Sequence, residues 1–180
     1  GIATSSPAAT GDERPQRIKV DDDYLYIAGY DNAPGNIQWR LEKRNKTTGA
    51  LCAGGGECVA GAFDTDGVVQ SNPSANIDAV YAMAIDSAYI YIAGYDSVVS
   101  AANSQWRIEK RDIATGALVT AFDTDGIAQV NPNTVLDWVT SIAVDSTYVY
   151  LGGFIGSTAG TWRLEKRDKT TGATTTAFSN

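Results

Sequence analysis

Tyr89-Ile90-Tyr91-Ile92-Ala93-Gly94-Tyr95, followed by Trp106-Arg107-Ile108-Glu109-Lys110-Arg111, is the stretch from which the fold is read. Both segments alternate with period two, the spacing that sends successive side chains to opposite faces of a strand. Tyr89, Tyr91, Ala93 and Tyr95 share one face, with Ile90, Ile92 and Gly94 on the other. In the second segment Trp106 and Ile108 face one way while Arg107 and Glu109 face the other. The same pair of segments occurs twice more. Tyr24-Leu25-Tyr26-Ile27-Ala28-Gly29-Tyr30 precedes Trp39-Arg40-Leu41-Glu42-Lys43-Arg44, and Tyr148-Val149-Tyr150-Leu151-Gly152-Gly153-Phe154 precedes Trp162-Arg163-Leu164-Glu165-Lys166-Arg167. The leading Tyr recurs after 65 and then 59 residues, and the Trp after 67 and then 56. A period of about sixty residues built on strand patterns is the signature of a tandem β-repeat.

A turn follows each Trp strand at a fixed distance: Asn45-Lys46-Thr47-Thr48-Gly49, Asp112-Ile113-Ala114-Thr115-Gly116 and Asp168-Lys169-Thr170-Thr171-Gly172. The leading Asn or Asp accepts backbone hydrogen bonds and the Gly supplies positive φ, so each reads as a hairpin loop. Ala-Phe comes next, at Ala62-Phe63, Ala121-Phe122 and Ala177-Phe178, and the first two copies continue as Asp-Thr-Asp-Gly. Gly126-Ile127-Ala128 then matches Gly1-Ile2-Ala3, which sets the copies near 1–66, 67–125 and 126–180. Copy one is longer because Gly49 to Phe63 spans 14 residues where its counterparts span 6. The extra residues hold Cys52 and Cys58, and a disulfide closing an insertion over 52–58 at a hairpin tip is the simplest account.

Four strands are expected per copy: one after the Gly-Ile-Ala segment, one ending in Arg17-Ile18-Lys19-Val20 or its counterparts, the Tyr strand and the Trp strand. No segment sustains a 3.6-residue apolar period, so no long helix is expected. The fold class is therefore all-β, read as three tandem four-stranded β-propeller-like blades in one repeat domain, with another repeated antiparallel packing such as a sandwich as the alternative.

The unit resembles the bacterial β-propeller repeats called delta-60 repeats. Ile92-Ala93-Gly94-Tyr95, Lys110-Arg111-Asp112, Gly116-Ala117-Leu118 and Phe122 through Gly126-Ile127 carry the resemblance, which covers nearly the whole chain. The chain departs from that pattern where Asp123 follows Phe122, a position usually held by Gly. The Asp-x-x-Thr-Gly turn also looks like that of quinoprotein-type propeller repeats, whose quinone is held in a larger ring. Neither resemblance implies a catalytic activity.

Composition narrows the function. The chain has 14 Lys plus Arg against 21 Asp plus Glu, a formal net charge of -7 and no His. Binding a phosphate backbone needs a concentrated positive face, so a nucleic acid partner is not expected. No apolar run approaches the ~18 residues of a spanning helix. Gly1 opens the sequence without an initiator Met, which is read as a cleaved signal peptide or a fragment. Two cysteines close together suit an oxidising compartment, so a secreted or cell-surface location is expected. Without His there is no Ser-His pair, no free Cys stands beside a base, and no Gly-rich phosphate loop opens a helix; an enzyme and a cofactor are therefore not expected.

Four sets of residues are candidate sites. Asp64, Asp66, Asp123 and Asp125 could hold calcium. If the aspartates were the third and fifth positions of an EF-hand loop, however, Ala62 and Ala121 would be its first and Pro73 and Pro132 its twelfth, none with a ligating side chain. Asp-Gly equally makes tight turns. Trp39, Trp106 and Trp162 could stack on sugars, as in lectin propellers, or form a packing layer between repeats. The tyrosine stripes that include Tyr24, Tyr26 and Tyr30 pose the same choice. Asn45-Lys46-Thr47 is an N-glycosylation sequon in a hairpin turn.

Closed propellers have about four to eight blades, so three copies leave two terminal faces lined by apolar side chains. At about 25 cal/mol per Å² of apolar area, a few hundred Å² left in water costs several kcal/mol, comparable to the net stability of a domain. An extracellular structural protein that self-associates head to tail, into a filament or a closed ring, is the function expected. A secreted carbohydrate-binding module is the alternative, and a larger propeller containing these copies would cover the same faces.

Overall fold

A computed structural model describes residues 1–6, 11–54, 56, 58, 61–156, 160–175 and 178. Among them are eleven strands and no helix: β1 (Arg14–Val20), β2 (Tyr24–Asp31), β3 (Gln38–Asn45), β4 (Val68–Ser71), β5 (Ala79–Ile85), β6 (Tyr89–Ser100), β7 (Asn103–Asp112), β8 (Ile127–Val130), β9 (Asp137–Val144), β10 (Tyr148–Ile155) and β11 (Thr161–Asp168). They form three antiparallel sheets in the orders β1-β2-β3-β4, β5-β6-β7-β8 and β9-β10-β11.

Local chemistry sets the hairpins. At the first turn of each sheet, Asp21, Asp86 and Asp145 accept from two backbone N–H groups, Asp21 from Asp23 and Tyr24 at 2.9 and 2.7 Å. The second carboxylate oxygen of each accepts from a strand tyrosine, Tyr26, Tyr91 or Tyr150. At the turn after each Trp strand, Asn45, Asp112 and Asp168 accept from the N–H groups two and three residues on. Gly49, Gly116 and Gly172 close these turns at φ 77, 79 and 73°. An L side chain is disfavoured at such values, which is why Gly recurs there.

The strand grouping differs from the sequence expectation. The strand after each Gly was expected to open its own copy. Instead β4 pairs with β3 and β8 with β7, so each closes the sheet before it (Leu41↔Val69 and Ile108↔Ala128). Residues 1–6, read as the opening strand of copy one, form no strand, and the third sheet has three strands rather than four among the described residues. Pairing to the preceding Trp strand satisfies the outer edge of that strand, which a period in sequence does not reveal.

The sheets pack face to face. Tyr26, Ala28, Trp39, Leu41 and Val69 of the first meet Val80, Met83, Ile90 and Ile92 of the second. Tyr91, Ala93, Trp106, Ile108 and Ala128 of the second meet Val139, Val149 and Leu151 of the third. Phe63 and Phe122 are fully buried, and the N–H groups after them, of Asp64 and Asp123, donate to Thr115 and Thr171 in the turn of the next copy at 2.7 and 2.8 Å.

Gly29, Gly94 and Gly153 mark where backbones come closest. Each lies opposite a register shift in the first strand of its sheet, the one facing Gly94 falling at Tyr81. A Cβ on Gly94 would collide with the Ala79 carbonyl oxygen and lie 2.9 Å from Val80 Cα. Gly94→Ala is therefore expected to lower the unfolding free energy by about 1–3 kcal/mol through overpacking, measured by urea denaturation.

Candidate functional site

The three Trp strands carry one pattern in three settings. Trp39 and Trp106 are 1% and 0% exposed. The indole N–H of Trp39 donates to the Tyr95 carbonyl of the next sheet at 3.0 Å, and that of Trp106 to the Phe154 carbonyl at 3.1 Å. Each ring also lies under a guanidinium of the next sheet, Arg107 at 5.6 Å and Arg163 at 5.7 Å. A buried indole with its donor satisfied offers no face to a sugar, so these two tryptophans are packing residues. Trp162 is 88% exposed and its strand neighbour Leu164 70% exposed, although Leu41 and Ile108 at the same register are buried. From Trp162 to Glu165 the outer edge of β11 has no strand partner among the described residues.

The opposite end of the stack is also open. Ile18, Leu25, Ile27, Gly29, Tyr30 and Arg40 line a cavity of about 360 Å³ on the outer face of the first sheet. In the second sheet Met83, Ile90, Ile92 and Gly94 occupy the matching registers and are covered by the first sheet. Ile18 is 62% exposed where Met83 is 3%.

Arg and Glu of the Trp strands form ladders on that same face. Glu109, wholly buried, accepts from Arg107 at 2.9 Å, Arg111 at 2.8 Å and the Ser71 hydroxyl at 2.9 Å. Glu42 repeats this with Arg40, Arg44 and Ser5, and Glu165 with Arg163 and Arg167. Burial alone would push the Glu109 carboxyl up; the Arg111 and Arg107 charges, with hydrogen bonds from Arg107 and Ser71, outweigh it and hold it below the ordinary value. Glu42 is lowered against burial in the same way by Ser5, Arg40 and Arg44.

Of the buried aspartates Asp31, Asp78, Asp96 and Asp137, none was singled out from sequence, and Asp31 and Asp96 repeat one network. Asp31 accepts from Gln38, Gln70, Arg40 and the Ala33 N–H, and Asp96 from Gln105, Gln129, Arg107 and the Val98 N–H. Gly-Tyr-Asp followed by Gln-Trp-Arg was the available signal, and copy three breaks it with Ile155 and Thr161. Trp138 was also missed. It stacks on Tyr81 and Tyr95 at centroid distances of 6.1 and 5.5 Å and packs against Phe154 at 5.1 Å.

The aspartates read as calcium candidates lie in turns. Asp64 and Asp123 have φ of 54 and 50°, while Asp66 and Asp125 accept the N–H two residues on, Val68 at 3.0 Å and Ile127 at 2.9 Å. Among the described residues no three His, Cys, Asp or Glu side chains are grouped to hold a metal ion. Asn45 is partly buried and its side-chain oxygen accepts from Thr47 and Thr48 within the turn. Cys52 and Cys58 form a disulfide, both buried against the core of the first sheet. No helix among the described residues is long and apolar enough to cross a membrane. Compared with known proteins, the chain matches no family model and no curated protein.

Proposed function

We propose that this is an extracellular structural protein whose β-propeller-like sheets stack from chain to chain, so that the chain self-associates head to tail. One observation carries the reading: Trp162 and Leu164 stand in water on a sheet face whose two repeats elsewhere in the chain, around Trp39 and Trp106, are buried under a following sheet. Large apolar side chains on one face mark an interaction surface. A contact between two different ends of a chain is heterologous, so it closes into a ring, six-bladed for two chains, or propagates as a filament. The disulfide is compatible with an oxidising, extracellular setting.

Sedimentation velocity over a wide concentration range, with electron microscopy of the same sample, tests the assembly. Rings or filaments are expected. A species that stays at 19.0 kDa throughout would overturn the proposal.

A further inference from the structure

The segment Gly1–Ser5 lies on the first sheet as β4 lies on the second. The Ser71 hydroxyl donates to Glu109 Oε1 at 2.9 Å and accepts from Arg107 at 3.4 Å. The Ser5 hydroxyl donates to Glu42 Oε1 at 2.8 Å and accepts from Arg40 at 3.5 Å. Ala3 lies against Gly49 as Val69 lies against Gly116. Ser71 is the fourth residue after Gly67, as Ser5 is after Gly1. The segment thus occupies the place of a strand closing a sheet in front of the first one, yet it pairs with no strand, and Ile2 is almost fully exposed.

Resting on the self-association proposed above, we infer that the docking unit is Gly1–Ser5 together with the cavity behind it, and that its occupant is β11 of a second copy. The register follows from β3–β4, where Trp39, Arg40, Leu41 and Glu42 pair with Ser71, Gln70, Val69 and Val68. The equivalent pairs across the two copies are Trp162 with Ser5, Arg163 with Thr4, Leu164 with Ala3, and Glu165 with Ile2. The Trp162 indole then enters the cavity beside Gly29, as Trp106 lies beside Gly153. Its N–H donates to the Tyr30 carbonyl of the copy that carries the cavity, and its ring lies under Arg40 of that copy. A third contact follows from the lysines. Lys43 Nζ donates to the Ile113 carbonyl at 2.9 Å and Lys110 Nζ to the Lys169 carbonyl at 2.7 Å, each in the next sheet's turn. Lys166 Nζ of the docked strand by the same repeat reaches the Lys46 carbonyl of the copy that carries the cavity. The occupant adds a strand to an open edge, so backbone hydrogen bonds supply affinity while the Trp pocket and the lysine fix the register.

Cysteine pairing reads the register directly. Residues opposite each other on antiparallel strands have Cα atoms about 4.5–5.5 Å apart, within the roughly 4.4–6.8 Å that a disulfide spans. Full-length chains carrying Thr4→Cys and Arg163→Cys are mixed and oxidised with glutathione; a disulfide joining one chain of each kind is expected as the main product. Thr4→Cys mixed with Lys166→Cys, out of register, is expected to give little. Assembly in the sedimentation experiment with no preference between the two mixtures would overturn this interface while leaving self-association standing. Chains that remain single in both experiments would overturn both.

Discussion

Glu109→Ala is expected to lower the unfolding free energy by about 3–5 kcal/mol, the range found when one partner is removed from a buried ion pair. The carboxylate is wholly enclosed between Arg107 and Arg111, whose side chains are only 7 and 8% exposed. Removing it leaves two guanidiniums out of water with their main acceptor gone, and it frees the Ser71 hydroxyl that joins the first sheet to the second. The equivalent change in the third sheet, Glu165→Ala, is expected to cost less, because the Arg163 side chain is 32% exposed and water can take the place of the carboxylate. Urea denaturation of the two variants side by side checks the ordering. Equal losses would show that the cost comes from packing volume and not from stranded charge.

The same carboxylates set the acid side of stability. Glu109 and Glu42 both have folded pKa values below their ordinary ones, so the unfolded chain binds protons more readily at low pH. Their contribution is complete above the unfolded pKa and is lost as pH falls through the folded value. Unfolding free energy should therefore decline on acidification. Glu109→Gln, already less stable at neutral pH, should show a shallower decline because one of the depressed carboxyls no longer titrates.

How far the sequence could be read depended on whether a feature was local. The Tyr and Trp strands and the Asx turn after each Trp strand were legible because each is fixed by residues a few positions apart: Asn45 caps its own turn, and alternation puts Trp39 and Leu41 on one face. The assignment of β4 and β8 was not legible. Each is only four residues long and its partner lies well back in the chain, Glu42 for Val68 and Glu109 for Ile127, so the repeat shows that Val68 and Ile127 are equivalent without showing which strand either joins. The same limit hid the role of Gly1–Ser5: its match to Gly126-Ile127-Ala128 was read as the start of a sheet, whereas the pairing of β8 makes that kind of segment the last strand of the sheet before it. The candidate site was half visible. The three tryptophans were found together, but nothing in Trp-Arg-x-Glu separates the exposed Trp162 from the two that are buried; that difference lies in what stands next to each sheet.

Trp106→Ala and Trp162→Ala should therefore have opposite consequences although the residues share one motif. Trp106 fills the layer between the second and third sheets and donates to the Phe154 carbonyl. Truncating it removes a large buried aromatic and strands that carbonyl, at a cost of about 3–5 kcal/mol in unfolding free energy. Trp162 stands in water, so its truncation should change the stability of the dissociated chain by no more than about 0.5 kcal/mol. In the proposed assembly it would be the central aromatic of the contact, a position where truncation typically costs at least about 2 kcal/mol, or a roughly thirtyfold weaker association. Urea denaturation at low concentration reads the first pair of values and sedimentation across concentrations the second. A Trp162→Ala chain that associates as tightly as the parent would mean that the exposed end of the third sheet is not where the chains meet.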